Sequence, residues 1–510
     1  MPGRLRASHQ TGHRLARRPC NHLRRRGLRE RCLDPKDSAD NARFAGPIIA
    51  PLSARVVSCR ARRTLGRQQL QPAQLRFPIL RPHTHTICSP VAIAPSRRTS
   101  LSGEQMTTAF TIPGSPPLLM RSPRLDSRIC TVLLLFGGAA LGAAVGTGDR
   151  LAAYGMFLYP LLYLASRCRI DTLSALAYYG LASRSLLSAA NNYHWAGPPH
   201  PTAIVLWASL AFLNALPWTV LFHPRHQGLS TVGIVLVTTS PPLGFFNPLN
   251  PLNACGMWFP GSRWIGIAIL PIVIFLTREK NVLLALSFLA GCTLVTHLTF
   301  KPPVLDPRIY AARTHFDLPI GDLRSLSVLP TEDLELQRIA QEHPKSIVIL
   351  PESVIPVWIP TYEKRWSVLF AQLAKTQTAL LIGTTAPIPN TDANVNILLS
   401  RGYSEHLSYV QRLPIPIGMW FPFDTTHGFP LRLSYPSAIR LWGHTVGILT
   451  CYEQDIPWIV LKTLARDPVA LIAPSNIRWA NGTAVPAIQH NNAQSWADLW
   501  SLPLYEAVNQ

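Results

Sequence analysis

The 510 residues are enough for two or three domains, and the formal net charge of +22 sits mostly at one end. Residues 1–105 hold 21 Lys and Arg against 5 Asp and Glu, whereas the remainder holds 27 against 21 and is near-neutral and apolar. The nine cysteines show no CxxC or Cys/His spacing, which excludes a disulfide framework and a cysteine-built metal site.

The basic arm, 1–105, contains runs such as "RRRGLRERC" and "RARRTLGRQQ" with neither helical nor strand period. A stretch rich in Arg, Pro and Ser buries too little apolar surface to offset its ordering entropy, so disorder is expected. Three readings of the arm stand open. It binds nucleic acid or anionic lipid electrostatically. It is a targeting segment, although no apolar h-region follows the charges. Or it lies upstream of the true start, since Met106 opens "MTTAFTIPGSPPLLM", an ordinary N-terminus.

From 106 to 300 the chain reads as a membrane domain. Seven apolar runs, give or take one, are expected to span: 129–146, 150–166, 172–190, 201–222, 229–246, 262–277 and 280–298. Several fall short of the roughly 20 residues that cross a bilayer. Soluble helices carry a polar face, and these mostly do not. With the N-terminus inside, the inner segments hold Arg121, Arg124, Arg128, Arg167, Arg169, Arg225, Arg278 and Lys280, against Arg150 and Arg263 outside. That bias places everything after about Leu298 outside the cytoplasm. Arg184 falls within the third run, as a snorkelling charge or a site. Pro217, Pro241, Pro242 and Pro271 predict kinks or broken helices. The loop "FFNPLNPLNACGMWFPGSRW" is expected at the outer membrane–water interface.

Residues 303–510 change texture. "SIVILPES" (346–353), "TALLIGTT" (378–385), "TVGILTCYE" (445–453) and "VALIAPSN" (469–476) read as buried strands. "DLELQRIAQEH" (333–343) and "EKRWSVLFAQLAKT" (363–376) read as helices between them. Alternating strands and amphipathic helices predict an α/β domain, in which polar residues at strand carboxyl ends line the site. Glu352, Cys451 and Asn476 stand at such ends. A lone cysteine in an apolar strand is ordinarily a packing residue. A thiol beside a carboxylate base, with a cation for the oxyanion, is instead the equipment of a nucleophile. Among the tryptophans, Trp420, Trp458, Trp479, Trp496 and Trp500 read as core or as an interfacial rim, and His444 and His490 as surface or packing residues.

"ILPES.IP" and "VGILTCYE" resemble motifs of the carbon–nitrogen hydrolase (nitrilase) superfamily. The resemblance is nearest to its membrane-bound apolipoprotein N-acyltransferase branch, and it continues through "YVQRLPIPIGMWFP" (409–422) and "SNIRWANGTAVPAIQHNNAQ" (475–494). In "VQRLPIPIGMW" and "PLNACGMWFPG" the wording is most similar to nitrilase-related membrane proteins of conjugal plasmid transfer.

The resemblance implies an αββα sandwich. It makes Glu352 the general base, Cys451 the nucleophile and Glu453 the supporting glutamate, with Tyr452 beside it. The family's lysine position holds Gln411, and the glutamate that follows is Met419. Arg412 stands adjacent and would supply the cation after a small register shift. The chain reaches its last residue at "LPLYEAVNQ", where the family continues into further strands. The implied function is a conjugal transfer protein whose domain forms a cysteine thioester for amide hydrolysis or acyl transfer. The alternative is a catalytically reduced accessory component. Neither cofactor nor metal is implied. Expected partners are phospholipid or an acylated substrate, the bacterial inner membrane and other conjugal transfer proteins, with nucleic acid met only through the basic arm.

Overall fold

The computed structural model describes residues 127–165, 172–194, 200–223, 225–278, 281–316, 329–403, 408–424 and 427–510. The basic arm, the start at Met106, and Arg121, Arg124, Arg167, Arg169 and Lys280 lie outside them, as does the side chain of Arg128.

The first half is helical. Its elements are α1 (Ser127–Val145), α2 (Arg150–Ala153), α3 (Gly155–Ala165), α4 (Thr172–Ala182), α5 (Ser185–His194), α6 (Pro201–Val220), α7 (Gln227–Thr239), α8 (Cys255–Trp258), α9 (Trp264–Arg278) and α10 (Val282–Thr299). Each of the seven apolar runs contains helix, but among the described residues only α6 and α10 are long and apolar enough to cross a membrane. Helix α1 lies close against α4. A Cβ on Gly142 would fall 2.3 Å from the Tyr178 carbonyl, and one on Gly138 would fall 2.7 Å from Ser174 Oγ. Small residues four apart give the two backbones this proximity.

One expectation is corrected here. The third run is not one helix: it breaks between α4 and α5 at Ser183–Arg184. Arg184 Nη1 donates to the Ala143 carbonyl at 2.8 Å and the Leu181 carbonyl at 2.9 Å. Those carbonyls end α1 and α4, so the charge caps two helix C-termini, where a cation is favoured. The Pro- and Asn-rich loop before α9 is built into the protein. Its middle is buried, with Asn247, Asn250, Asn253 and Cys255 wholly covered. Its polar groups are spent inward. Asn253 Nδ2 donates to the carbonyls of Pro248 and Asp455, and its Oδ1 accepts from Trp496 Nε1 at 2.9 Å. Buried amides with partners on two elements lock a seam rather than face solvent.

The second half is a four-layer sandwich. One sheet runs in the order β1 (Ile309–Ala311), β3 (Ile347–Ile349), β4 (Ala379–Pro387), β5 (Asp392–Gly402), β6 (Ser408–Val410), with β7 (His427–Gly428) paired to β5. The other runs β2 (Arg313–Thr314), β11 (Leu504–Asn509), β10 (Ala470–Asn476), β9 (His444–Ile448), β8 (Ala438–Leu441). Strands β1, β3 and β4 are mutually parallel, as are β2, β11, β10 and β9.

Strand periodicity builds the layers. Ile347 and Ile349 of β3, Leu381 of β4, Ile448 of β9 and Ile472 of β10 meet between the sheets. Their neighbours Val348, Leu350, Leu380 and Ile382 turn outward onto α11 (Leu329–Glu342), α12 (Pro360–Arg365) and α13 (Ser367–Lys375). On the far side, Leu449 and Leu471 join α14 (Pro457–Leu464) and α15 (Val485–Trp500) in one apolar cluster with the first-half helices. Trp496 and Trp500 are buried in that cluster, whereas Trp458 reaches the surface. Each such large apolar side chain contributes roughly 1.5–3 kcal/mol when fully buried. The helical half and the sandwich therefore share a core, with α15 between them. The close approach is visible at Gly256, where any Cβ would overlap the Ser495 carbonyl.

Candidate active site

Strand β9 ends at Ile448, and Leu449 still donates to the Ile472 carbonyl at 3.0 Å. The chain then bends. Cys451 has φ +49°, a left-handed conformation that costs a non-glycine residue on the order of 1–3 kcal/mol and persists only when its surroundings impose it. A 3₁₀ turn, Cys451–Asp455, starts there. It is held by a capping box in which Thr450 and Glu453 satisfy each other's backbone N–H groups.

Glu453 is wholly buried and does more than cap. Its carboxylate accepts from the N–H groups of Thr450 (2.9 Å), Arg412 (2.7 Å) and Leu413 (3.3 Å), and from the Tyr409 hydroxyl (2.6 Å). It therefore ties the cysteine turn to the segment after β6. Glu453 is a positioning residue: its contacts go to the scaffold.

Glu352 follows β3, three residues past its last strand position. Gly383 on β4 lets it come close, since a Cβ there would fall 2.0 Å from the Pro351 carbonyl. The buried Glu352 carboxylate accepts from Asn396 Nδ2 and from the Asn476 N–H at 3.0 Å, and the Cys451 thiol lies beside it. Burial pushes its pKa up to about 7, the neighbouring thiol and the two donors hold it down, and the charge of Glu453 adds to the rise. The Cys451 thiol is pushed well above its ordinary range, first by burial and then by the Glu352 charge. The resting pair is therefore a neutral thiol beside a carboxylate. Sulfur becomes nucleophilic only as its proton passes to Glu352. Since the base must be ionised, acylation of Cys451 is expected to rise with pH through about 7 and then level off. Initial rates of acyl-probe incorporation between pH 5 and 9 check this, and a flat profile would remove Glu352 from the role.

Gln411 occupies the expected lysine position and is buried. Its Oε1 accepts from Asn396 Nδ2 at 3.2 Å, and its Nε2 donates to the Thr450 carbonyl at 3.1 Å. It thus bridges the Glu352 and Cys451 segments without charge. Arg412 does not replace the missing cation, which corrects the register-shift expectation. The guanidinium is wholly buried on the other side of the segment, 3.3 Å from Glu453. It donates to the Tyr409 hydroxyl, Thr463 Oγ1 and the carbonyls of Ile448 and Ile459. Met419, at the following glutamate position, is buried and apolar. Gln411→Lys is expected to raise the rate of Cys451 acylation on the order of tenfold, part of the 10²–10³ that one oxyanion donor contributes. Pre-steady-state acylation of the variant measures it.

Sequence reading missed four contributors. Asn396 is one of two asparagines on strand β5, and it is the buried one. Gln489 on α15 lines the cavity beside Cys451. Asp455 follows four residues after the thiol. Gly383 is recognisable only from the approach of another strand.

Cys451 opens into a cavity of about 250 Å³ with almost wholly apolar walls. Helices α5 and α6 supply Leu186, Ala190, Leu210 and Leu213; the loops supply Phe246, Leu249 and Ile415–Gly418; α15 supplies Ile488 and Gln489. Tyr193 closes one side, its hydroxyl donating to the Gly418 carbonyl at 3.3 Å and its ring set edge-on to Trp479. Tyr452 donates to the Phe245 carbonyl at 2.8 Å, so the residue after the thiol is tied to the helical half. His490 lies outside the cavity, paired with Glu506.

No family model matches the sequence. Solved structures with partial likeness include an amidase from Nesterenkonia sp. AN1 (TM-score 0.27, 15% identity, 39% of this chain and 77% of that one). A carbon–nitrogen hydrolase from Helicobacter pylori G27 gives TM-score 0.29 and 17% identity over 39% of this chain and 72% of that one. The curated relatives span most of the molecule. The chain is 25% identical over 408 residues to a probable conjugal transfer protein TraB of Sinorhizobium fredii, covering 76% of this chain and 100% of the relative. It is 28% identical over 394 residues to the conjugal transfer protein TraB of Agrobacterium fabrum, covering 74% of this chain and 92% of the relative.

Proposed function

We propose that this chain is a multi-pass membrane protein of a conjugal transfer system, with a nitrilase-type domain that forms an acyl thioester on Cys451. The observation that carries the reading is the Cys451 thiol set beside buried Glu352 at the end of an apolar cavity. Glu352 takes the thiol proton as sulfur adds to the substrate carbonyl carbon. The tetrahedral intermediate expels its amine or alcohol, which recovers the proton from Glu352. Water or an amine then attacks the thioester, with Glu352 again the base. An acyl chain or phospholipid tail fits the cavity wall supplied by α5 and α6.

The surface of the helical half supports membrane placement. Leu283, Leu294 and Leu298 of α10 face outward, as do Phe136 of α1 and Val205 and Phe212 of α6. Outward leucine and phenylalanine on several helices suit lipid as the solvent. With seven spans and the Lys/Arg bias, the domain sits on the periplasmic face of the bacterial inner membrane. Other conjugal transfer proteins are its natural partners.

The neutral Gln411 favours a second reading, an accessory component that keeps the fold and binds without turnover. Transfer frequency in a strain complemented with Cys451→Ala or Glu352→Ala separates the two. The first reading expects both variants to lose transfer while still accumulating in the membrane. Normal transfer by both variants sinks it and leaves the second.

A further inference from the structure

Asp455 is a buried acid beside the thiol that takes no part in the chemistry above. It closes the turn that Cys451 begins and is 7% exposed. Its Oδ1 accepts from Asn492 Nδ2 at 2.8 Å. Its Oδ2 has neither a hydrogen-bond donor nor a cation beside it among the described residues. Asp455 lines the cavity and is the one charged side chain on its described wall; no Lys or Arg faces it. Burial pushes this carboxyl up to about 7. An unpaired carboxylate against apolar walls is unfavourable, and an entering cation that donates hydrogen bonds relieves it. An entering anion meets Asp455 with no compensating charge on the cavity wall.

We infer that Asp455 and the cavity form a binding site for a primary ammonium carried on an apolar chain, with the ammonium at Asp455 Oδ2 and the chain along the α5–α6 wall. Where Cys451 is acylated, as in the reading above on which this step rests, the bound amine is the acyl acceptor. Asp455 takes one ammonium proton, and the free amine adds to the thioester carbonyl. Glu352 takes a second proton from nitrogen, the C–S bond breaks, and the departing thiolate recovers that proton from Glu352. Asp455 returns its own proton to solvent, and an amide leaves.

Binding is tested without acyl transfer. The full-length chain in maltoside micelles is alkylated with N-ethylmaleimide, and modification is read at the Cys451 peptide by mass spectrometry. Decylammonium, decanol and decyl sulfate are compared as protectants. Decylammonium is expected to protect at about tenfold lower concentration than decanol, and decyl sulfate to protect least. Asp455→Asn, which keeps an acceptor for Asn492, is expected to abolish the ammonium advantage and leave decanol unchanged. Equal protection by ammonium and alcohol in the wild-type chain overturns the inference, as does an advantage that survives Asp455→Asn. The wild-type series decides alone if the variant does not accumulate. No thioester forms in this assay, so its failure is separable from failure of the catalytic reading.

Discussion

Replacing Arg412 by methionine is expected to destabilise the chain by about 3–5 kcal/mol, the cost of leaving one partner of a buried ion pair uncompensated. Arg412 and Glu453 are both wholly covered, 3.3 Å apart. The loss is a large share of the roughly 5–15 kcal/mol that holds a typical domain together. Little folded protein should accumulate, and what does should unfold at markedly lower denaturant. Arg412→Lys is expected to be only a partial remedy. An ammonium on a flexible stem cannot reproduce the guanidinium's bonds to Tyr409, Thr463, Ile448 and Ile459 together. Denaturation midpoints of both variants against wild type measure the effect. Near-normal stability of Arg412→Met would mean that the arginine is no part of the scaffold that aims Cys451.

Glu352→Gln is expected to slow Cys451 acylation by about 10²–10⁴, the usual contribution of a positioned general base. The amide is nearly isosteric and can still accept from the Asn476 N–H, so the turn should persist. The substitution removes a negative charge that raises the thiol pKa, yet burial is the larger cause of the rise and remains. Alkylation by a small maleimide should therefore change far less than acylation. That split distinguishes a lost base from a collapsed site. Equal losses in both reactions would indicate collapse.

Much of this arrangement was legible in the sequence because it rests on local pattern. The apolar runs ending at Glu352, Cys451 and Asn476 fixed three strand ends, and those ends converge. The two helices between the early strands follow from amphipathic spacing. What escaped was set by contacts between distant segments. The inward bonding of the Asn-rich loop leaves no local signal; the partners of Asn253, Asp455 and Trp496, lie some two hundred residues away. Arg412 looked like a substitute for a lysine because it is adjacent in sequence. In a strand-like segment adjacent residues point to opposite sides, so Gln411 faces the site and Arg412 faces Glu453. Asp455 carries no local signal, because one acid just past a strand end looks like a solvated turn residue.

The central claim is that Cys451, activated by Glu352, carries an acyl group. The full-length protein in native membranes, incubated with p-nitrophenyl octanoate and analysed by peptide mass spectrometry, tests it most directly. The arrangement predicts a single octanoyl adduct on Cys451, released by hydroxylamine, absent in Cys451→Ala and at least a hundredfold slower to form in Glu352→Gln. An unmodified Cys451 in the wild-type protein, or equal rates with and without the Glu352 carboxylate, would contradict it.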